Sequence, residues 1–168
     1  SPTRHSSDLV QQALRSHPEL NQTFDGEQLT PVENQPVGVA VATEANIVLA
    51  PVVQVGADVG LESLASHSRE LITRARSGQM TASDQVPAAI TVSNLGMHGV
   101  TAFTAMVTPP QIMVLSAGTV RRVPAFNEAD EVVAQSMITL TLGSDHRVVN
   151  GAQAAAFLKA VVAELESP

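Results

Sequence analysis

The hydrophobic pattern of this chain keeps switching period, and that switching restricts the fold more than any single residue does. Early in the chain Leu9, Val10, Ala13 and Leu14 recur at helical spacing on one face. Ser6 or Ser7 is placed to cap that helix, Asp8 suits its first turn, and Pro18 stops it. Residues 21–36 are polar, with Gly26, Pro31 and Pro36, and read as loop with a short strand at most. From residue 37 the period falls to two: Val37, Val39 and Val41 alternate with Gly38, Ala40 and Ala42. The alternate positions are small rather than polar, so both faces of this strand are expected to be covered. Residues 47–55 continue in β-branched character, with Glu44, Ala45 and Asn46 as a hairpin turn. The helical period then returns over residues 60–78. Leu61, Leu64, Ala65, Leu71, Ile72 and Ala75 form the stripe, Arg69, Glu70, Arg74 and Arg76 face water, and Gly78 ends the helix.

The second half repeats the alternation. Residues 88–94 read as strand, 95–101 as a glycine-rich corner and 103–107 as strand, with Pro109 and Pro110 as the break. Residues 111–120 read as a buried strand, 121–132 as a polar connector and 132–144 as one long strand. A turn at 144–151 leads into a last helix, with Leu158, Val161, Val162 and Leu165 inward. Helices alternating with groups of strands predict an α/β fold, and the absence of a linker-like stretch predicts one domain over residues 1–168.

Composition narrows the function. There is no Cys, which excludes a disulfide framework, a thiolate zinc site and a cysteine nucleophile. A net charge of −7 and an aromatic content of 2% argue against nucleic acid, which calls for basic surface and stacking platforms. No apolar run is long enough to span a membrane. Lys159 is the only lysine, so cationic work falls to eight arginines.

The densest chemical cluster is Ser144 to Gly151, between an apolar strand and a helix, where α/β folds often place sites. His146 can act there as a general base, since imidazole titrates near neutrality; the alternative is a structural loop histidine. A second cluster is Ser93, Asn94, Leu95 and Gly96, either a hydroxyl aimed into a cleft or plain turn chemistry. A hydrolase triad of Ser93, His146 and Asp145 is disfavoured, because adjacent residues seldom orient one another and the Gly-x-Ser-x-Gly elbow is missing. His5, His17, His67 and His98 show no metal spacing, so no metal is expected, although His98 lies in the glycine corner and could line a cleft. Arg121 and Arg122 are either a solvated strand end or a phosphate contact.

ITVSNLGMHGVTAFTAMVTPPQIMVLSAG together with SDHRVVNGAQAAAFL resembles the inner-core catalytic domain of the dihydrolipoamide acyltransferases of 2-oxo acid dehydrogenase complexes, most closely the pyruvate class. The family motif, His-Arg followed after two residues by Asp or Asn and then Gly, stands here as His146, Arg147, Asn150 and Gly151. The likeness runs from Ser6 onward. It implies a chloramphenicol-acetyltransferase-like two-layer fold with a mixed sheet, and acyl transfer, acetyl first, between dihydrolipoamide and coenzyme A. His146 would be the base, Ser93 the oxyanion donor and Asn150 an orienting group. Arg121, Arg122, Asn94 and Gly96 are the remaining candidates for substrate and coenzyme A contacts, and Val92, Leu95, Met97 and Phe103 for the acyl pocket. Both thiols then arrive on substrates, which accounts for a chain without Cys.

The resemblance further implies a homotrimer with Ser93 and His146 facing each other across a protomer boundary. Its partners would be lipoyl domains and other complex components, in bacterial cytoplasm or a mitochondrial matrix. The family's opening helix and strands, lipoyl and subunit-binding domains and apolar tail have no counterpart, so an N-terminally shortened fragment or reduced member is expected. A scaffold without activity and an acyltransferase using another acceptor are the alternatives.

Overall fold

A computed structural model describes residues 2–45, 47–53 and 61–166, with side chains except those of 2–6, 61–65 and 67. The elements run α1 (Pro2–Ser16), β1 (Gln22–Phe24), β2 (Leu29–Pro31), β3 (Val37–Val39), β4 (Val41–Ala42), β5 (Val48–Leu49), β6 (Val52–Val53) and α2 (Leu61–Arg76). They continue with β7 (Ile90–Asn94), β8 (Met113–Ala117), β9 (Arg121–Phe126), β10 (Val132–Met137), β11 (Leu140–Ser144) and α3 (Gly151–Glu166). Asn46 lies outside the described residues, as do the side chains of His5, Ser6, Leu61, Leu64, Ala65 and His67, and their expected contributions with them.

The central sheet has the order β11-β8-β7-β3-β6. Its middle three strands are parallel and its two outer pairs antiparallel. A parallel pair needs a crossover. Between β3 and β7 that crossover includes α2, and between β7 and β8 it is the irregular stretch 95–112. This stretch explains why β8 reads as a continuous apolar run. Ile90, Val92, Met113 and Leu115 join Val10, Leu14, Phe157 and Val161 in a core under α1 and α3. Thr91, Val114 and Ser116, of opposite parity, are buried as well. On their side the amide of Ala105 donates to Ser116 Oγ at 3.0 Å, and Thr91 Oγ1 donates to Gln111 Oε1 at 2.6 Å. Gly38 is required in β3 because a Cβ there would collide with Thr91 Oγ1. A second cluster, Val39, Val41, Val53, Leu71 and Ala75, seats α2.

Several expectations change. Helix α1 begins at Pro2, so Ser7 lies inside it, buried, and is not a cap. Residues 103–107 form no ladder among the described residues; they cover the sheet instead of joining it. The polar connector 121–132 contains β9, and the long strand 132–144 is two strands, β10 and β11. The break falls at Ile138 and Thr139, where the Thr139 carbonyl accepts from the Gly118 amide and β11 turns back along β8. Strand β10 pairs only with β9. Pro124 is tolerated because this ribbon is two strands wide, so the missing N–H faces no further strand. The turn closes through Asn127, whose Oδ1 accepts from the amides of Ala129 and Glu131. Arg74 does not simply face water: it grips buried Asp84 with Nη2 at 2.7 Å. On α3 the buried residues are Phe157 and Val161. Leu165 is 41% exposed and, with Leu158, Val162, Val120 and Met137, lines an open groove of about 400 Å³. No described helix is long and apolar enough to cross a membrane.

Candidate active site

Ser93 and Asn94 end β7, at the edge where β8 also ends. The chain turns there because Asn94 Oδ1 accepts the Gly96 amide at 2.8 Å, a side-chain mimic of a backbone turn. Gly96 is needed for close approach: a Cβ would stand 2.7 Å from the Gly118 carbonyl oxygen. The corner walls a cavity of about 200 Å³ with Val39, Val41 and Ile72. Ser93, Asn94, Leu95 and Met97 line it, as does His98, whose place in the glycine corner allowed for this, and Arg76, which was expected only to face water. Val92 is instead buried in the core at 1% exposure, and Phe103 does not line this cavity.

His146 lies in the turn after β11. Asp145 is tied to the sheet through its amide, which donates to the Ile112 carbonyl at 2.8 Å, and its own carbonyl accepts from Val148 and Val149. Arg147 closes back on Asp145 with Nε at 2.9 Å and Nη2 at 2.6 Å. That pairing, followed by the Arg147 amide, holds the Asp145 carboxyl below the usual carboxylate range, and Asp145 raises the Arg147 guanidinium. The His146 ring is exposed and has no hydrogen bond to the described residues. Asn150 is the N-cap of α3: its Oδ1 accepts from the Gln153 amide at 3.0 Å, and Gln153 Oε1 accepts from the Asn150 amide at 3.0 Å. The Asn-x-x-Gln spacing of this capping box was readable in the sequence. The Asn150 side-chain Nδ2 makes no hydrogen bond to the described residues.

These two halves do not meet within one chain. Ser93 is level with Ser116 of β8, and Ser144 is level with Met113. Three residues along β8 and two strand spacings across it put Ser93 and Ser144 about 14 Å apart between Cα atoms. The chain runs on from Ser144 past Ile112, so His146 lies further away still. Arg121 and Arg122 join neither half. They stand exposed on β9, opposite Met137 and Ser136. Among the described residues no group of His, Asp and Glu could hold a metal ion. His17 packs edge-on against Phe157, a core contact.

The chain is thus a mixed sheet backed by helices, with a serine corner at one end and a histidine turn at the other. Chloramphenicol acetyltransferase has this fold, with a TM-score of 0.59 at 15% identity over 99% of this chain and 78% of that one. The chain belongs to the 2-oxoacid dehydrogenases acyltransferase (catalytic domain) family, whose profile matches residues 3–168. It is 33% identical over 156 residues to the dihydrolipoyllysine-residue acetyltransferase component of the pyruvate dehydrogenase complex of Zymomonas mobilis, covering 93% of this chain and 35% of that protein. A mitochondrial counterpart from Schizosaccharomyces pombe is 34% identical over 158 residues, covering 93% and 32%. The chain thus spans about a third of the length of these relatives. Among solved structures, a probable dihydrolipoamide acetyltransferase from Listeria monocytogenes superimposes with a TM-score of 0.89 at 26% identity, covering 99% of this chain and 70% of that one. The dihydrolipoamide acetyltransferase of Azotobacter vinelandii was solved to investigate one serine, one histidine and one asparagine in its catalytic mechanism. It gives 0.82 at 30% identity, over 95% and 65%.

Proposed function

We propose that this chain transfers an acyl group, acetyl first, between dihydrolipoamide and coenzyme A, at sites shared by neighbouring copies in a closed trimer. The observation that carries this reading is the separation of Ser93 from His146. A base and an oxyanion donor must both lie within about 3 Å of the reacting groups. One chain holds them at opposite ends of its sheet, and a second copy supplies the missing half. The β9–β10 ribbon supports such a neighbour: it pairs with no other described strand, and Phe126, Val132 and Met137 are 72%, 66% and 50% exposed. In the Azotobacter protein the serine precedes the histidine by 52 residues and the asparagine follows it by four; here the intervals are 53 and four.

The chemistry follows from those groups. A ring nitrogen of His146 takes the proton from the coenzyme A thiol as its sulfur bonds to the thioester carbon of acyl-dihydrolipoamide. The carbonyl oxygen becomes an oxyanion, and the Ser93 hydroxyl of the neighbouring copy donates to it. Collapse breaks the bond to the lipoyl sulfur, and the imidazolium returns its proton to that leaving thiolate. Asn150, with its acceptor engaged in the cap, offers its amide N–H groups to hold this geometry. Asn94 and Gly96 shape the serine corner, and Arg121 and Arg122 are free to meet coenzyme A phosphates from the ribbon.

The test is thioester exchange between acetyl-CoA and free dihydrolipoamide by the purified chain. His146→Ala is expected to lower turnover ~10²–10⁴-fold and Ser93→Ala ~10²–10³-fold, with the oligomer intact. Near-wild-type turnover by either variant refutes the assignment.

A further inference from the structure

The Ser93 and His146 half-sites are 14 Å or more apart, yet one short segment braces both. Phe24 donates its amide to the Pro110 carbonyl at 2.7 Å, and its side chain packs against the main core. The Arg147 guanidinium carbon lies 4.8 Å from the centre of the Phe24 ring. Stacking of this kind fixes a planar guanidinium more tightly than an ammonium would be fixed. The same guanidinium grips Asp145 through both carboxylate oxygens, and the Arg147 amide donates to Asp145 Oδ1 at 3.1 Å. The residues on either side of His146 are therefore clamped to each other and to β1, while the imidazole stands exposed between them. Arg147 spends Nε and Nη2 on Asp145, which fixes the plane of its guanidinium. On the other flank Gln111, next to Pro110, accepts from Thr91, two residues before Ser93.

We propose that Phe24, Arg147 and Asp145 are positioning residues that aim the His146 ring out of its turn toward the neighbouring copy, with the Pro110 carbonyl as their anchor. The proposal rests on His146 being the base. Its logic is geometric: a misplacement of about 1 Å at a reacting group costs on the order of 10² in rate without weakening substrate binding.

Steady-state transfer between acetyl-CoA and dihydrolipoamide by the full chain tests it. Phe24→Leu and Arg147→Gln are expected to lower kcat about ten- to a hundredfold. KM for both substrates should stay within about twofold, because a positioning role gives neither residue a substrate contact. Phe24→Tyr, which keeps the stacking ring, restores kcat. The double variant Phe24→Leu/Arg147→Gln is no slower than the worse single variant, because the two act in one chain of contacts. Full kcat in Arg147→Gln overturns the proposal, and so does a loss carried by KM or losses that multiply. If His146→Ala is itself fully active, the acyl-transfer reading fails rather than this one alone.

Discussion

Mixing two inactive variants separates a shared site from one contained in a single chain. In the proposed mechanism Ser93→Ala and His146→Ala each disable one half. Within one chain the halves are held about 14 Å apart between the Cα atoms of Ser93 and Ser144, with His146 beyond. A histidine side chain reaches about 4.5 Å from its Cα and a serine about 2.4 Å. Fully extended toward each other they still fall short of a common thioester, so no rotamer change closes the gap. Two copies can close it, because in a cyclic ring each site takes its serine from one protomer and its histidine from the next.

In a random one-to-one mixture a given site has an intact serine half the time and an intact histidine half the time. About a quarter of the sites should therefore be whole, for any closed ring. The assay is unfolding and refolding the two variants together, then measuring thioester exchange against each variant refolded alone. Recovery to about a quarter of wild-type turnover is expected, against the ~10²-fold or larger deficit of either parent. No recovery, in a mixture shown by tagged pull-down to have exchanged protomers, refutes the shared site.

Other outcomes follow from individual contacts. Asn150→Ala removes the α3 cap and should cost about 1 kcal/mol by urea denaturation, whereas Gln153→Ala keeps the Asn150 amide and should lose stability without a comparable loss of kcat. Asp84→Asn should lower Tm near neutral pH. The Asp84 carboxyl is held well below the usual range, first by the Arg74 side chain and next by the Thr81 amide. A depressed folded pKa gives stability that is present above the unfolded value of about 3.9 and lost as pH falls through the folded one, so the Tm gap to wild type should narrow below about pH 4. Gly118→Ala puts a Cβ into the Thr101 carbonyl, backbone against backbone, and should cost about 1–3 kcal/mol, read as a lower urea midpoint at unchanged slope.

Much of the fold was legible because local pattern and burial agree. The stripe containing Val10 and Leu14 faces the sheet, α2 occupies its expected span, and β8 is buried throughout. The misreadings cluster where neighbours, not propensity, decide. Residues 121–132 lack a buried face because their ribbon is largely exposed, so alternation could not mark β9. Residues 132–144 look like one strand because both halves are β-rich, and only the switch of partner from β9 to β8 divides them. Arg74 sits where a solvated charge belongs on an amphipathic helix, and nothing local announces that Asp84 will pack beneath it.

The site shows the same division. The candidate residues of the proposed site, His146 with Asn150 and the serine corner, stand out in the sequence because turns and caps carry short-range signatures. Their separation could not, because it is a property of topology. Strand β7 runs parallel to β8 and delivers Ser93 to one end, and β11 runs antiparallel and delivers His146 to the other. Sequence distance says nothing about that. With β7 placed antiparallel to β8, Ser93 would fall at the His146 end and a complete site within one chain would be sterically open. The parallel crossover through 95–112 forbids it. A pairing of strands, rather than the identity of any catalytic side chain, makes association a condition of the proposed activity.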